Sequence, residues 1–379
     1  MSIYLLPLKT ALLAFPVVAL VLALPFLVAQ YRRYGSLVWW RAVVVYTFVF
    51  YILSAYFLII LPLPSRAAVA TLVSPRANLV PFNALREFLA STVFSPLHPA
   101  TWLPALKQPW FIQPAFNVVL TIPFGVYLRY YFKRPLWQVW LMSLALSLFF
   151  ELTQLSGLYG YYPRPYRMFD VDDLMLNSFG GWLGGLIAPA LMRAFPSRED
   201  MDARARQKGQ RVTWTRRFVA WLIDNTVVLG LVTAATSLLF HLLGWDAWTR
   251  NLQLSTIVPL VIVFGFIPVV TGGTTPGKAL VRIRIVRANG QPASAWRLLW
   301  REFLLYGVAL QLLRGFLWSF TEIFSKFHRS EINFVLLAGF GVPLAFVVIN
   351  FLWELLTRDN RYFYDVWADT TQISTTKNP

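Results

Sequence analysis

Ala11-Leu-Leu-Ala-Phe-Pro-Val-Val-Ala-Leu-Val-Leu-Ala-Leu-Pro-Phe-Leu-Val28 runs for eighteen residues without a charged or hydrogen-bonding side chain. About 20 mainly apolar residues in a helix cross the ~30 Å hydrocarbon core of a bilayer. The run is long for the core of a cleavable leader and has no clear small-residue cleavage site, so it reads as a retained membrane span. Outward from it, the same apolar density recurs. Candidate spans fall at 10–29, 42–61, 115–132, 137–156, 174–192, 218–242, 253–271, 302–321 and 334–356. Alternation with turn signals is missing from these runs, which excludes strands. The expected fold class is an all-α polytopic membrane protein of about nine transmembrane helices in two helical bundles.

Composition agrees. Of 379 residues, 57% are hydrophobic and only 13% charged, where a soluble domain carries about 25% charged residues. The absence of cysteine excludes disulfides and thiolate metal sites. His98, His241 and His328 are scattered, so no metal and no cofactor are expected. The net charge of +17 follows from where Lys and Arg sit relative to the spans and does not point to nucleic acid. Arg32, Arg33 and Arg41, then Arg129, Lys133 and Arg134, then the run from Arg193 to Arg217, then Lys278 to Arg301, occupy alternate connections. The poorer connections are 62–114, 157–172, 244–251 and 322–333. The positive-inside bias therefore puts the N-terminus outside and the C-terminus in the cytoplasm. Arg314, inside 302–321, fits a helix lying partly at the interface or an arginine paired within the bundle better than an ion site.

The hydrophilic stretch 196–213 reads as a basic cytoplasmic linker between a first domain, 1–195 with five spans, and a second, 214–379 with about four. The outer segment 62–114 holds nine prolines, which forbid a continuous helix, but Leu85, Phe88, Leu89 and Thr92 predict a short amphipathic or re-entrant helix within it. In the second domain, Ala279 to Val286 alternates apolar and basic residues and Asn289-Gly290 is a turn signal, so a small cytoplasmic β-hairpin is expected. Gly180-Gly-Trp-Leu-Gly-Gly185 permits close helix approach.

Polar residues of the first domain gather near the expected outer boundary: Asn78, Asn117, Glu151, Gln154, Arg164, Arg167, Asp170, Asp172, Asp173 and Asn177. Glu151 and Gln154 share a helix face. A carboxylate inside the membrane is a functional hypothesis, with Glu151 as a proton-binding group. Arg167 offers a bidentate grip on a phosphate or carboxylate, and Asp170 to Asp173 offer hard oxygen ligands to a divalent cation. Against this stands a structural reading, in which Asp172 or Asp173 caps the fifth span and Arg167 pairs with Glu151.

Asn78-Leu-Val-Pro-Phe82, Asn117 with Pro123-Phe-Gly125, Glu151-Leu-Thr-Gln154, and Arg167-Met-Phe-Asp-Val-Asp-Asp-Leu-Met-Leu-Asn177 with the glycine run resemble the VanZ-like family in order and spacing, over about 40–195. That family is named for a teicoplanin-resistance protein, and most members have no established activity. The resemblance implies a bacterial cell-envelope role linked to antibiotic resistance, not a reaction.

The second domain opens on Arg216-Arg-Phe-Val-Ala-Trp-Leu-Ile-Asp224 and closes on Arg361-Tyr-Phe-Tyr-Asp365. Asp224 sits in an apolar span and needs a partner, such as Arg217 or Arg361. With Thr275-Pro-Gly-Lys278 and Arg301, these features resemble the RDD family over about 211–375. Arg217 (or Arg216), Asp224 and Asp365 would be its name-giving residues, and Asp369 stands where the family more usually has glycine. Some RDD proteins are linked to sodium/proton antiport, so a cation or proton is an implied partner. The structural alternative is a buried clamp of Arg217, Asp224, Arg361 and Asp365.

Three functions follow as expectations. The first is an envelope protein that binds or modifies a lipid-linked or peptidoglycan-related anionic ligand at the outer leaflet, with membrane lipid, a cell-wall precursor or a glycopeptide as partner. The second is a cation/proton transporter or exchanger working through the RDD-like module. The third is a non-catalytic membrane scaffold. No nucleophile–base pair and no phosphate-cradling loop stands out, which leaves the question of an enzyme open and the catalytic residues unknown.

Overall fold

The computed structural model describes residues 2–245, 254–325, 331–357 and 361–376. It is a polytopic helical protein. Among the described residues, eight helices are long and apolar enough to cross a membrane. Helix α1 is Ser2–Tyr34 and α2 is Trp39–Ile60. A short α3, Asn83–Ser91, lies in the proline-rich segment, with Leu85 and Leu89 exposed, as its amphipathic spacing predicts. Then come α4 (Pro109–Tyr130), α5 (Leu136–Leu155) and α6 (Val171–Leu191). The expected linker carries a helix of its own, α7 (Arg198–Gly209), with acids in its first turn and bases in its last, as the helix dipole favours. Beyond it lie α8 (Trp214–Leu242), α9 (Leu254–Val270), α10 (Ala295–Ile323) and α11 (Glu331–Thr357).

The expected seventh span is α9, which has seventeen residues and is shorter than the other eight. The connections expected at 244–251 and 322–333 fall in part outside the described residues. The weak span 302–321 is the inner part of α10, and Arg314 is exposed on that helix.

The chain divides into two compact units, Met1–Leu22 with Val38–Met201, and Ala23–Leu37 with Asp202–Pro379. In the first, α4 and α6 pack closely. A Cβ on Gly125 would run into the Gly181 carbonyl, and one on Gly184 into that of Ile122, so the glycine run sets the helix separation. Ala55, Leu120 and Phe150 fill one core cluster, and Phe124, Leu128 and Val139 another. In the second unit, Tyr31, Val219, Ala220, Ile223, Val281 and Ile283 form the core.

Among the described residues each unit carries one small sheet. In the first, β1 (Ala77–Asn78) runs parallel to β2 (Phe169–Asp170). In the second, β3 (Ile283–Arg287) pairs antiparallel with β4 (Thr370–Ser374), in register from Ile283 opposite Ser374 to Arg287 opposite Thr370. The turn at Asn289-Gly290 forms, but it adds only a single bridge, Val286 to Pro292. The ladder partner of the alternating stretch is the C-terminal tail. Pro292 cannot donate to a ladder, whereas the tail offers five consecutive residues.

Three successive helices of this unit contain π-helical turns: Asp224–Val228 in α8, Val261–Phe266 in α9 and Phe303–Ala309 in α10. Such turns are rare and collect at functional sites.

Candidate functional sites

The polar residues of the first unit converge on a cavity of about 530 Å³. Its walls include Glu151, Gln154, Arg167, Asp170, Asp172, Asp173, Asn117 and Asn177, together with Glu87 from α3 and Trp110 from α4. Asp170 is the N-cap of α6, its side chain accepting the Asp172 N–H at 2.9 Å. Asn78 donates to both Asp170 oxygens at 3.3 Å, which ties β1 to the cap. Glu151 Oε2 accepts the Asp170 N–H at 2.9 Å. Asp172 turns away from its own helix and accepts the N–H groups of Phe82 and Ala84, each at 2.6 Å. It therefore caps α3, whose N-cap residue Phe82 is held in a left-handed conformation with φ of 64°. Asn117 donates to Asp173 Oδ1.

Two structural expectations change here. The cap of α6 is Asp170, because only a residue just outside the helix can reach the N–H groups of its first turn. Arg167 does not pair with Glu151. Its guanidinium donates to the carbonyls of Ile59 at 2.7 Å and Leu61 at 3.3 Å, covering the free acceptors at the end of α2. Gln154 also donates to the Ile59 carbonyl, at 3.2 Å. Arg164 serves the carbonyls of Leu72 and Ser74 in the loop. Arg167 is thus turned to backbone carbonyls in a cavity lined with five acids. Glu87 is the acid on this wall that the candidate set did not include, and its position on the polar face of a short amphipathic helix was the available signal.

Asn177 Nδ2 donates to Ser147 Oγ at 3.0 Å, and the Ser147 hydroxyl donates to the Asp173 carbonyl at 3.2 Å. Beside this cavity lies an apolar groove of about 600 Å³ lined by Leu85, Phe88, Phe111, Val118, Ile122 and Leu183, among others. Ala84, Trp110, Pro114, Asp172 and Leu176 belong to the walls of both.

The second unit places its polar residues differently from the expected clamp. Asp365, fully buried, receives Arg217 NH1 on one oxygen and Arg301 Nε on the other, both at 2.8 Å. Arg217 also lies over the Tyr362 ring and Arg301 over the Tyr364 ring, at 5.3 and 4.8 Å from the centroids. Burial pushes the Tyr362 hydroxyl up to about 12. Asp224 is not in this cluster. It accepts the Thr275 hydroxyl and the Gly277 N–H, the latter at 2.7 Å, and so caps the turn Pro276–Leu280. A Cβ on Gly277 would sit 2.8 Å from Asp224 Cγ, which makes Thr-Pro-Gly the sequence this contact needs. Arg361 donates to the Thr370 carbonyl at 3.2 Å. Arg361 and Asp224 thus stand apart because the Thr370 carbonyl satisfies the first and the Thr275 hydroxyl and Gly277 N–H the second.

Arg216, also fully buried, donates to the carbonyls of Val281 at 2.7 Å, Arg282 at 2.6 Å and Gly209 at 3.1 Å. Glu302 completes the buried set, 2.5 Å from Arg301 and 3.8 Å from Lys278 Nζ. Burial pushes the Lys278 ammonium below the usual lysine range, and Glu302 opposes that shift. Asp224, Lys278, Arg301, Glu302 and Tyr306 border a cavity of about 130 Å³. Asp369, where the RDD resemblance led to glycine, has φ of 50°, and Arg297 binds its carboxylate at 2.5 Å.

Two helical units built from membrane-length helices, each holding a buried polar cluster, define a two-module polytopic membrane protein. Residues 48–193 match the family model VanZ/LLP1 and residues 211–369 match the RDD family. The chain carries a VanZ-like domain followed by an RDD domain. No curated protein and no solved structure matches it.

Proposed function

We propose that this cell-envelope membrane protein sits in the bacterial plasma membrane and that its VanZ-like unit binds an amphiphile at the outer leaflet. The alternation of Lys and Arg between connections supports an outside N-terminus, a cytoplasmic C-terminus and an outward-facing polar cavity. The observation that carries the reading is the shared wall. A polar cavity that would take a head group opens beside an apolar groove that would take a chain, with Trp110, Pro114 and Asp172 between them. A lipid-linked cell-wall precursor or a lipid-bearing glycopeptide has this two-part chemistry. Binding of either would change teicoplanin susceptibility. Glu151→Gln, at unchanged membrane abundance, is expected to lose the susceptibility effect of the intact protein. A variant that keeps the full effect would remove the cavity from the function.

The π-helical turns favour a second reading, in which the RDD unit moves a cation or proton. Two of them begin at Asp224 and directly after Glu302, both on the wall of the 130 Å³ cavity. Sodium- or pH-dependent proton flux in vesicles should then vanish in Asp224→Asn, and undiminished flux would exclude Asp224.

A further inference from the structure

The cavity of the VanZ-like unit has a charge pattern that selects its ligand. Glu87, Glu151, Asp170, Asp172 and Asp173 line it, and the guanidinium of Arg167 is directed to the carbonyls of Ile59 and Leu61. Among the described residues none of these five acids forms an ion pair with a lysine or arginine. An anionic head would enter against the acids and find the wall's arginine already engaged.

A second observation is independent of the acids. Asn177 is 4% exposed, lines the cavity, and keeps its Oδ1 buried without a hydrogen-bond partner. In this network the Ser147 hydroxyl donates to the Asp173 carbonyl and accepts from the Asn177 amide nitrogen, which leaves the amide oxygen as the group without a partner. What remains open is an acceptor. Glu151 Oε1 and Asp173 Oδ2 likewise receive no hydrogen bond among the described residues. An acceptor left over beside the cavity and carboxylate oxygens free on its wall residues are matched by a donor, not by another acceptor.

We propose that the head group bound here is a protonated primary amine, the ammonium of a cationic amphiphile. Such a group has three N–H donors and no acceptor, the complement of this wall. Trp110, Phe116 and Phe150 add aromatic surface of the kind that attracts a cation. A bare divalent ion is the poorer match, since the described residues contain no group of three acids placed to hold one. The inference rests on the amphiphile reading above and replaces the anionic head expected from the sequence with a cationic, hydrogen-bond-donating one.

The test uses the full chain in phosphatidylcholine nanodiscs, with empty nanodiscs as the blank. Dodecylamine, dodecyl phosphate and ethylamine are titrated calorimetrically. Dodecylamine is expected to saturate one site at least about tenfold more tightly than dodecyl phosphate, and Glu151→Gln or Asp173→Asn should each weaken it about tenfold, the loss of one charge-assisted bond. The ranking on the unaltered chain decides the matter even if a variant fails to fold. Tighter binding of dodecyl phosphate overturns the ammonium and leaves the amphiphile reading standing. Ethylamine binding as tightly as dodecylamine overturns the amphiphile and keeps the ammonium. No saturation beyond the blank by any of the three overturns both.

Discussion

Asp172 and Phe82 lie ninety residues apart and meet through a hydrogen bond of 2.6 Å, donated by the Phe82 N–H. With the bond from Ala84, one carboxylate fixes both the left-handed turn at Phe82 and the start of α3. Asp172→Ala would leave the Phe82 and Ala84 N–H groups without their acceptor, a cost of up to about 1–3 kcal/mol each wherever water cannot replace the oxygen. The expected result is rapid amide exchange over residues 82–88, with α4 to α6 unchanged. Exchange mass spectrometry checks it, and protection equal to that of the unaltered chain would refute it.

Asp365 holds two guanidinium groups at once. Asp365→Asn would leave two buried guanidinium groups, Arg217 and Arg301, without the carboxylate that both of them bind. Removing one partner from a buried ionic set costs about 3–5 kcal/mol. The melting temperature in detergent should fall by well over the change in Arg361→Ala, whose side chain donates to the Thr370 carbonyl. Equal shifts for the two variants would contradict this.

Lys278 provides a pH signature. Its ammonium is pushed below the usual lysine value of about 10.4 by burial, so between the lowered value and 10.4 the unfolded chain holds the proton more often than the folded one. Stability then rises with pH across that window. The gap in melting temperature between the unaltered chain and Lys278→Met should move in favour of the unaltered chain as pH rises from 8 to 10. A gap constant with pH would count against the buried ammonium.

Asp369 adopts a conformation that costs most residues about 1–2 kcal/mol and glycine almost none. Its ion pair with Arg297 is half-exposed and contributes about 0–1 kcal/mol. Asp369→Gly should therefore leave the melting temperature close to the original, whereas Asp369→Val should lower it. An equal loss for glycine and valine would show that the ion pair, which both variants lack, dominates over the backbone at this position.

The membrane-length helices, the two-family order and the close approach at the glycine run were legible because each rests on residues close together in the chain. Apolar length adds up along a segment, and small residues every four positions fall on one helix face wherever the helix ends up. The polar site was legible as a set of residues but not as a set of bonds. Arg167 had Glu151 and three aspartates as plausible partners, yet two backbone carbonyls at the end of α2 hold it. Asp224 had Arg217 and Arg361, yet Thr275 and Gly277 satisfy it. Arg301 and Glu302 were adjacent in sequence, but nothing local said that Asp365 would reach Arg301.

The sequence by itself determined that this chain crosses a membrane many times, where its helices run and which family each half resembles. Those properties come from hydrophobicity and helix periodicity, which act over a few turns. Only the tertiary structure decided which donor meets which acceptor, that β3 takes the C-terminal tail as its partner, and that five acids share one cavity. Hydrogen bonds and ion pairs act over about 3 Å and depend on direction, so their partners are fixed only when distant segments have packed.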